Sequence, residues 1–456
     1  MRRKTMKKQF ISLLLTAAIV LGVTPAAFAA TNTNTEALQA ANELHTLGLF
    51  GGTGTDTNGN PIYDLDRAPT RQEAITILVG LLGKTDEAKK GNWNMPFKDV
   101  DSWAKPFVGY AYANGLASGT SATTFGAKDT VTASQYLSFV LRVQGYESGK
   151  DFKWNKAWEL SDQIGLTDGR YNDTTKSFLR GDVAIISLRA NKMMDILKTA
   201  PVWGLPENIK FIAKPKTDAD LQNNILYRFL FGEYSLDFTN YPPKQLSFDS
   251  TVQTIRDTIS DLSDTYTALA GPFNNTFIGC GIDNTKLFID FPEASLSPEE
   301  IYTQQLSALK AARNIKDSLH AQGKITAKMS EKEIAQVYYG YLADLNVKPS
   351  DINAANPGGR TVEFDSAYAC LLNKKADCVG RAAAFNLFMH LEGISAQGVT
   401  GHIKGTPDYD GHILSRVVLD GEEYFCDWGN GYALSKDITD WFTFDADSLA
   451  AARAVK

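Results

Sequence analysis

Three times between residues 36 and 197 the chain repeats one two-helix unit, and no other feature limits its fold as much. Gly48-Leu49-Phe50-Gly51-Gly52, Gly115-Leu116-Ala117-Ser118-Gly119 and Gly165-Leu166-Thr167-Asp168-Gly169 each close an amphipathic helix. A second helix follows each, opening at Thr70-Arg71-Gln72-Glu73, Thr132-Ala133-Ser134-Gln135 and Leu179-Arg180-Gly181-Asp182. These second helices carry apolar stripes: Ile75, Leu78 and Leu82; Leu137 and Val140; Ile185 and Leu188. Units spaced by roughly 50–65 residues, none able to bury its stripe alone, have to stack on one another.

Between the repeats lie Leu65-Asp66-Arg67-Ala68-Pro69-Thr70-Arg71 and Phe97-Lys98-Asp99-Val100 with Trp103-Ala104. Together with the Gly-Leu loops, these motifs resemble the surface-layer homology (SLH) domain. The resemblance implies an all-α domain over 36–197, with three repeats around a pseudo-threefold axis. It also implies binding of a pyruvylated secondary cell-wall polymer, or peptidoglycan, at the helix-opening turn and nearby aromatics. Arg71 and Arg180 match that turn and Trp103 is the matching aromatic. A guanidinium fork suits a carboxylate ketal. Ala133 breaks the pattern, so the second groove should be weak. Repeats one and three lack the Phe-x-Asp-Val entry. The plainer alternative makes Arg71 and Arg180 ordinary solvated first-turn residues.

Met1 to Ala29 reads as a signal peptide: Arg2, Arg3, Lys4, Lys7 and Lys8, then an apolar run from Phe10 to Val23, then Ala27-Phe28-Ala29. The run is too short to span a bilayer, so no membrane association is expected after cleavage. Residues 9–29 carry no charge, so loss of the five cations takes the formal net charge from −6 to −11. A secreted acidic chain argues against nucleic acid as a partner. The four cysteines, Cys280, Cys370, Cys378 and Cys426, have no CxxC or metal-site spacing, and no Walker, dinucleotide or HExxH motif occurs, so no metal or cofactor is expected.

One cysteine stands at a helix mouth. In Ala376-Asp377-Cys378-Val379-Gly380-Arg381, Asp377 is a good N-cap and Cys378 the first helical residue. The helix is apolar on most sides and stops at Gly393, as a buried central helix would. Unpaired N–H groups and the helix dipole favour an anionic sulfur by roughly 0.3–1 kcal/mol, up to ~2 when partly buried. Asp377 opposes this, so a nucleophile here needs a cationic partner. Downstream, Gly411 to Leu419 and Glu422 to Trp428 read as strands joined by an Asp420-Gly421 type I′ turn. Counting back from the turn sets Leu414 opposite Asp427. His412 then shares that face as a diagonal neighbour, roughly 7–8 Å away at the backbone. A slip of one residue would separate them. His390 lies roughly 18 Å along the helix from Cys378 and cannot serve. His402 is the fallback base; His45 and His320 read as ordinary residues.

Ala367-Tyr368, Cys378, Gly380, Ala382, Gly393-Ile394, Val399-Thr400-Gly401, His412, Leu419-Asp420-Gly421, Tyr424 and Asp427 follow the order of the transglutaminase-like superfamily, and the stretch from Asp365 to Trp428 most resembles its secreted bacterial branch. The resemblance implies a papain-type core, α+β, with the cysteine helix packed on an antiparallel sheet. It implies catalysis by Cys378, His412 and Asp427. The chain departs at His412-Ile413-Leu414-Ser415, where the family often has a tryptophan after its His, and at Asp427-Trp428-Gly429. The Cys378 N–H is one expected oxyanion donor, with Tyr368 a candidate for the second.

The domains expected are thus a signal peptide (1–29), SLH-like repeats (36–197), an α/β lead-in (205–330) and a transglutaminase-like domain (331–445). The lead-in should hold helices near 217–231 and 248–269, paired strands at 276–278 and 286–289, and a long helix opened by Ser297. The function expected is cysteine acyl transfer at the cell surface on a protein or peptide, as peptidase, amidase or cross-linking transglutaminase. The alternative is a non-catalytic wall-binding or scaffolding protein with a decayed enzyme fold.

Overall fold

The computed structural model describes residues 33–213, 215–232, 235–237, 262, 265–270, 277–280, 286–290, 298–348, 364–406 and 411–455. The expected signal peptide, Ser297 and most of the expected 248–269 helix lie outside them.

The repeats form α1 (Thr33–Thr46), α2 (Arg71–Leu81), α3 (Thr85–Lys90), α4 (Lys105–Ala113), α5 (Ala133–Val143), α6 (Ala157–Gln163) and α7 (Arg180–Leu197). Capping boxes open α2 at Thr70/Glu73 and α5 at Thr132/Gln135. Helices α2, α5 and α7 each meet the other two. Each first helix packs on the second helix of the unit before it: α4 on α2, α6 on α5, and α1 on α7 to close the ring. The apolar stripes are therefore buried between units, with Ile75, Leu78, Leu137, Val140 and Ile185 at most 2% exposed. At the closing seam Glu36 of α1 accepts from Arg170 (3.2 Å) and from Arg189 of α7 (2.8 Å). The domain is not wholly α. β1 (Gly54–Thr55) and β2 (Pro61–Ile62) pair across a turn in which Asp56 accepts from Asn58 and Asn60, a local alternative to helix that Asp offers.

The region expected as a separate lead-in belongs to the same body as the cysteine helix. It contains α8 (Asp218–Leu230), β3 (Ser235–Asp237), α9 (Thr267–Ala270), β4 (Phe277–Cys280), β5 (Lys286–Asp290) and α10 (Pro298–Ala321). The expected strand pair is β4–β5, and β3 adds a third strand in the order β3-β5-β4. After α11 (Glu331–Asp344) comes α12 (Cys378–Leu391), and α9, α10 and α11 all pack on it. A 3-10 turn, Ala200–Trp203, joins the repeats to the C-terminal end of α12. There His390 is buried, with Nδ1 3.2 Å from the Val202 carbonyl and Nε2 2.6 Å from that of Ala396.

β6 (Ala396–Ile403), β7 (Gly411–Leu419), β8 (Glu422–Asp427), β9 (Tyr432–Ser435) and β10 (Phe442–Phe444) form an antiparallel sheet, ordered β10-β6-β7-β8-β9. Ala396, Val417, Leu419, Tyr424 and Cys426 join the α12 core; Val399, Leu414 and Phe425 join a second core with Ile438, Phe442 and Ala452. This second core continues into α13 (Ala446–Ala454), so the domain runs past the expected boundary at 445. The physical reason is burial: Ala452 is fully covered, and its carbonyl accepts from Arg416.

Candidate active site and wall-binding grooves

Asp377 caps α12 by accepting from the Gly380 N–H at 3.0 Å, and Cys378 is its first helical residue. The thiol is partly exposed, whereas Cys370 and Cys426 are buried. Burial pushes Cys370 up to about 12 and raises Cys426 as well, so neither thiol ionises readily near neutral pH.

The turn between β7 and β8 has positive φ at Asp420 (52°) and Gly421 (83°), as type I′ requires, and sets Leu419 opposite Glu422. On the β7 side the register runs as far as Ser415 opposite Cys426; on the β9 side Phe425 pairs with Ser435 and Asp427 with Tyr432, with an irregularity between those two pairs. His412 Nε2 meets Asp427 Oδ2 at 2.7 Å, with both side chains largely covered. The Cys378 thiol lies close enough to His412 to act on its charge. Burial works against that charge, yet Asp427 and then Cys378 outweigh burial and push the imidazole up to about 10. The three residues singled out in the sequence thus form one constellation. His402 is exposed, one residue beyond Gly401, the partner of His412 across β6–β7, and takes no part. Gly401 has a steric reason to be glycine. A Cβ there would come within 2.6 Å of the Phe442 ring, which packs edge-on to His412. Tyr368 lines a small cavity with Trp203, Gln305 and Ala308.

Sequence reasoning missed Asn430. Its Nδ2 donates to Asp427 Oδ2 at 2.8 Å and lies 3.5 Å from His412 Nε2. The only signal was Gly429-Asn430-Gly431, a turn composition that says nothing of what the amide will meet.

Among the repeats, Arg71 and Arg180 are not solvated: they are 5% and 4% exposed. Arg71 Nε donates to the Phe125 carbonyl (3.1 Å) and Nη2 to that of Ser118 (3.2 Å). Arg180 Nε donates to the Tyr63 carbonyl (2.8 Å), and its Nη1 lies 3.8 Å from Glu73. Both sites are built alike. The Arg71 and Gln72 N–H groups bond the carbonyls of Asp129 and Ala127, as those of Arg180 and Gly181 bond Arg67 and Leu65. Asp99 of the Phe-x-Asp-Val motif pins the Arg71 loop by accepting from the N–H groups of Phe125, Gly126 and Ala127 at 2.8–2.9 Å. The rings beneath the guanidinia are Phe125 and Phe139 for Arg71 and Phe50 for Arg180, not Trp103. Trp103 stands half exposed in the turn before α4, beside Asp101. Neither guanidinium meets Trp103: the loop residue Phe125 and Phe139 of α5 lie beneath Arg71, and the loop residue Phe50 lies beneath Arg180.

Among the described residues no group of three or more His, Cys, Asp and Glu could hold a metal ion. Nor is any described helix long and apolar enough to cross a membrane.

Residues 96–136 match the S-layer homology domain. The chain is 32% identical over 196 residues to a cell surface protein of Thermoanaerobacter kivui, covering 40% of this chain and 24% of that one. It is 30% identical over 184 residues to a surface layer protein of Brevibacillus choshinensis (38% and 16%). It is also 30% identical over 139 residues to an endoglucanase of Bacillus sp. strain KSM-635 (26% and 15%). The chain spans a quarter or less of the length of these relatives. It is a cell-surface protein carrying an S-layer homology segment. A solved structure described as a TGase aligns over 36% of this chain and 46% of its own at 15% identity, with a TM-score of 0.24, too low to establish a shared fold.

Proposed function

We propose that the protein is a wall-bound cysteine acyl-transfer enzyme. The observation that carries this reading is the Cys378–His412–Asp427 constellation at the N-terminus of a buried helix. His412 takes the thiol proton and stays beside the sulfur as imidazolium, while Asp427 fixes the ring through Nε2. The thiolate attacks a carboxamide or peptide carbonyl, and the Cys378 N–H faces the developing oxyanion. The imidazolium returns its proton to the departing amine, leaving a thioester on Cys378. Water then regenerates the thiol in a peptidase or amidase; a primary amine does so in a cross-linking transglutaminase. Substrates of this reading are proteins or peptides at the cell surface. The S-layer homology repeats hold the enzyme to secondary cell-wall polymer, with the Arg71 and Arg180 grooves as the anion sites.

Incubation with a glutamine-bearing peptide and a labelled primary amine separates the outcomes. Release of ammonia without label marks a hydrolase, and incorporation marks a transferase. Absence of both across peptide donors, with Cys378 unreactive to alkylation, returns the non-catalytic wall-binding alternative.

A further inference from the structure

The cysteine helix and the strand bearing Asp427 are separate in the chain, yet acyl transfer as proposed above needs them held within a hydrogen bond of each other. One side chain bridges them. Arg381 lies in the first turns of α12, and three of its contacts reach the segment directly after Asp427. Its carbonyl accepts from Trp428 Nε1 at 2.9 Å, its Nη1 donates to the Gly429 carbonyl at 2.8 Å, and its guanidinium lies 5.6 Å over the Trp428 ring. A fourth contact, Nη2 to the Val347 carbonyl at 3.2 Å, ties the same group to the chain beyond α11. Gly429 is bare where the guanidinium passes: a Cβ there would meet Nη1 at 2.4 Å and Cδ at 2.5 Å. The segment so held, Trp428–Asn430, ends in the amide that donates to Asp427 Oδ2.

We propose that Arg381 is a positioning residue for acyl transfer, holding the Trp428–Asn430 turn against the first turns of α12 and so fixing the separation of Cys378 from the His412–Asp427 pair. The geometry favours this over simple packing because three of the four contacts run between α12 and the turn that directly follows Asp427. The inference rests on the cysteine reading above.

The test is the pH profile of Cys378 alkylation by iodoacetamide, followed residue by residue by mass spectrometry on the full chain. Arg381→Met should move the acid limb up by about one pH unit, making alkylation near pH 6 roughly tenfold slower, because the sulfur loses its paired imidazolium. Arg381→Lys should recover part of the shift, since an ammonium can reach one carbonyl but not fork across two. Gly429→Ala should behave like Arg381→Met, because the added methyl occupies the guanidinium's path. If Arg381→Met fails to fold, the other two variants carry the test. Folded variants that melt lower but keep the wild-type pH profile would overturn the role of Arg381 and leave the enzyme reading standing. A wild-type Cys378 no faster than Cys370 or Cys426 would remove both.

Discussion

Both halves of the molecule place their decisive residue at the first position of a helix, and they bring in the cation by opposite routes. In α2 and α7 the helix supplies it: Arg71 and Arg180 are first residues, wrapped by carbonyls from the adjoining unit. A cation there faces the positive end of the helix dipole and is buried as well, and burial lowers its affinity for the proton in both cases. In α12 the first residue is a thiol, which the dipole favours as an anion, and the cation arrives from β7. The difference teaches what each site would await on the proposed reading. The repeats hold buried cations that an external anion could relieve, whereas the C-terminal half brings a cation to its own thiol.

The largest effects should come from the C-terminal pair. Cys378→Ser should leave the fold intact and abolish acyl transfer, and Asp427→Asn should cut turnover by about 10⁴, since an amide orients the wrong tautomer of His412. Steady-state rates beside matched circular dichroism spectra would check both; an active Asp427→Asn would dissolve the contrast between the two halves.

Next come the grooves, read as wall binding by the full chain in a sedimentation assay with purified walls. Arg71→Ala and Arg180→Ala should each weaken binding, and Arg71→Ala more. Arg180 lies 3.8 Å from Glu73, while among the described residues Arg71 has no carboxylate within ion-pair distance. Each should also destabilise the repeats by about 1–3 kcal/mol through unpaired buried carbonyls. Ala133→Arg should gain little. Equal losses would mean that Glu73 does not compete with the wall anion.

A smaller effect is pH-dependent stability. His412 binds its proton more tightly when folded, so its contribution is complete below about pH 6.5. The contribution is lost as pH rises toward about 10, the value of the folded imidazole. Melting temperature should therefore fall across that window more steeply in wild type than in His412→Ala; parallel curves would break the link. The smallest effect belongs to His402→Ala, an exposed position on β6, where stability should stay within about 0.5 kcal/mol.

The two halves also differed in how far the sequence could be read. Capping residues, closing glycines and apolar stripes are local, so the helix pairs of the repeats were legible at nearly their true limits. Which first helix packs on which second helix was not, because a stripe does not name its partner. The His412–Asp427 contact was legible because a two-residue turn fixes register by counting. The roles of Asn430 and Arg381 were hidden, since each depends on a meeting of segments distant in sequence. The burial of Arg71 and Arg180 escaped for the same reason: their covers, Phe125 and Phe50, come from loops of a different or earlier stretch.

The most direct measurement is site-resolved alkylation of the native chain by iodoacetamide between pH 6 and 7. On the proposed reading Cys378 should react well before Cys280, Cys370 and Cys426, and His412→Ala should erase that lead. Labelling of Cys378 at or below the rate of the other cysteines, or a lead untouched by His412→Ala, would contradict the pair on which the catalytic half is built.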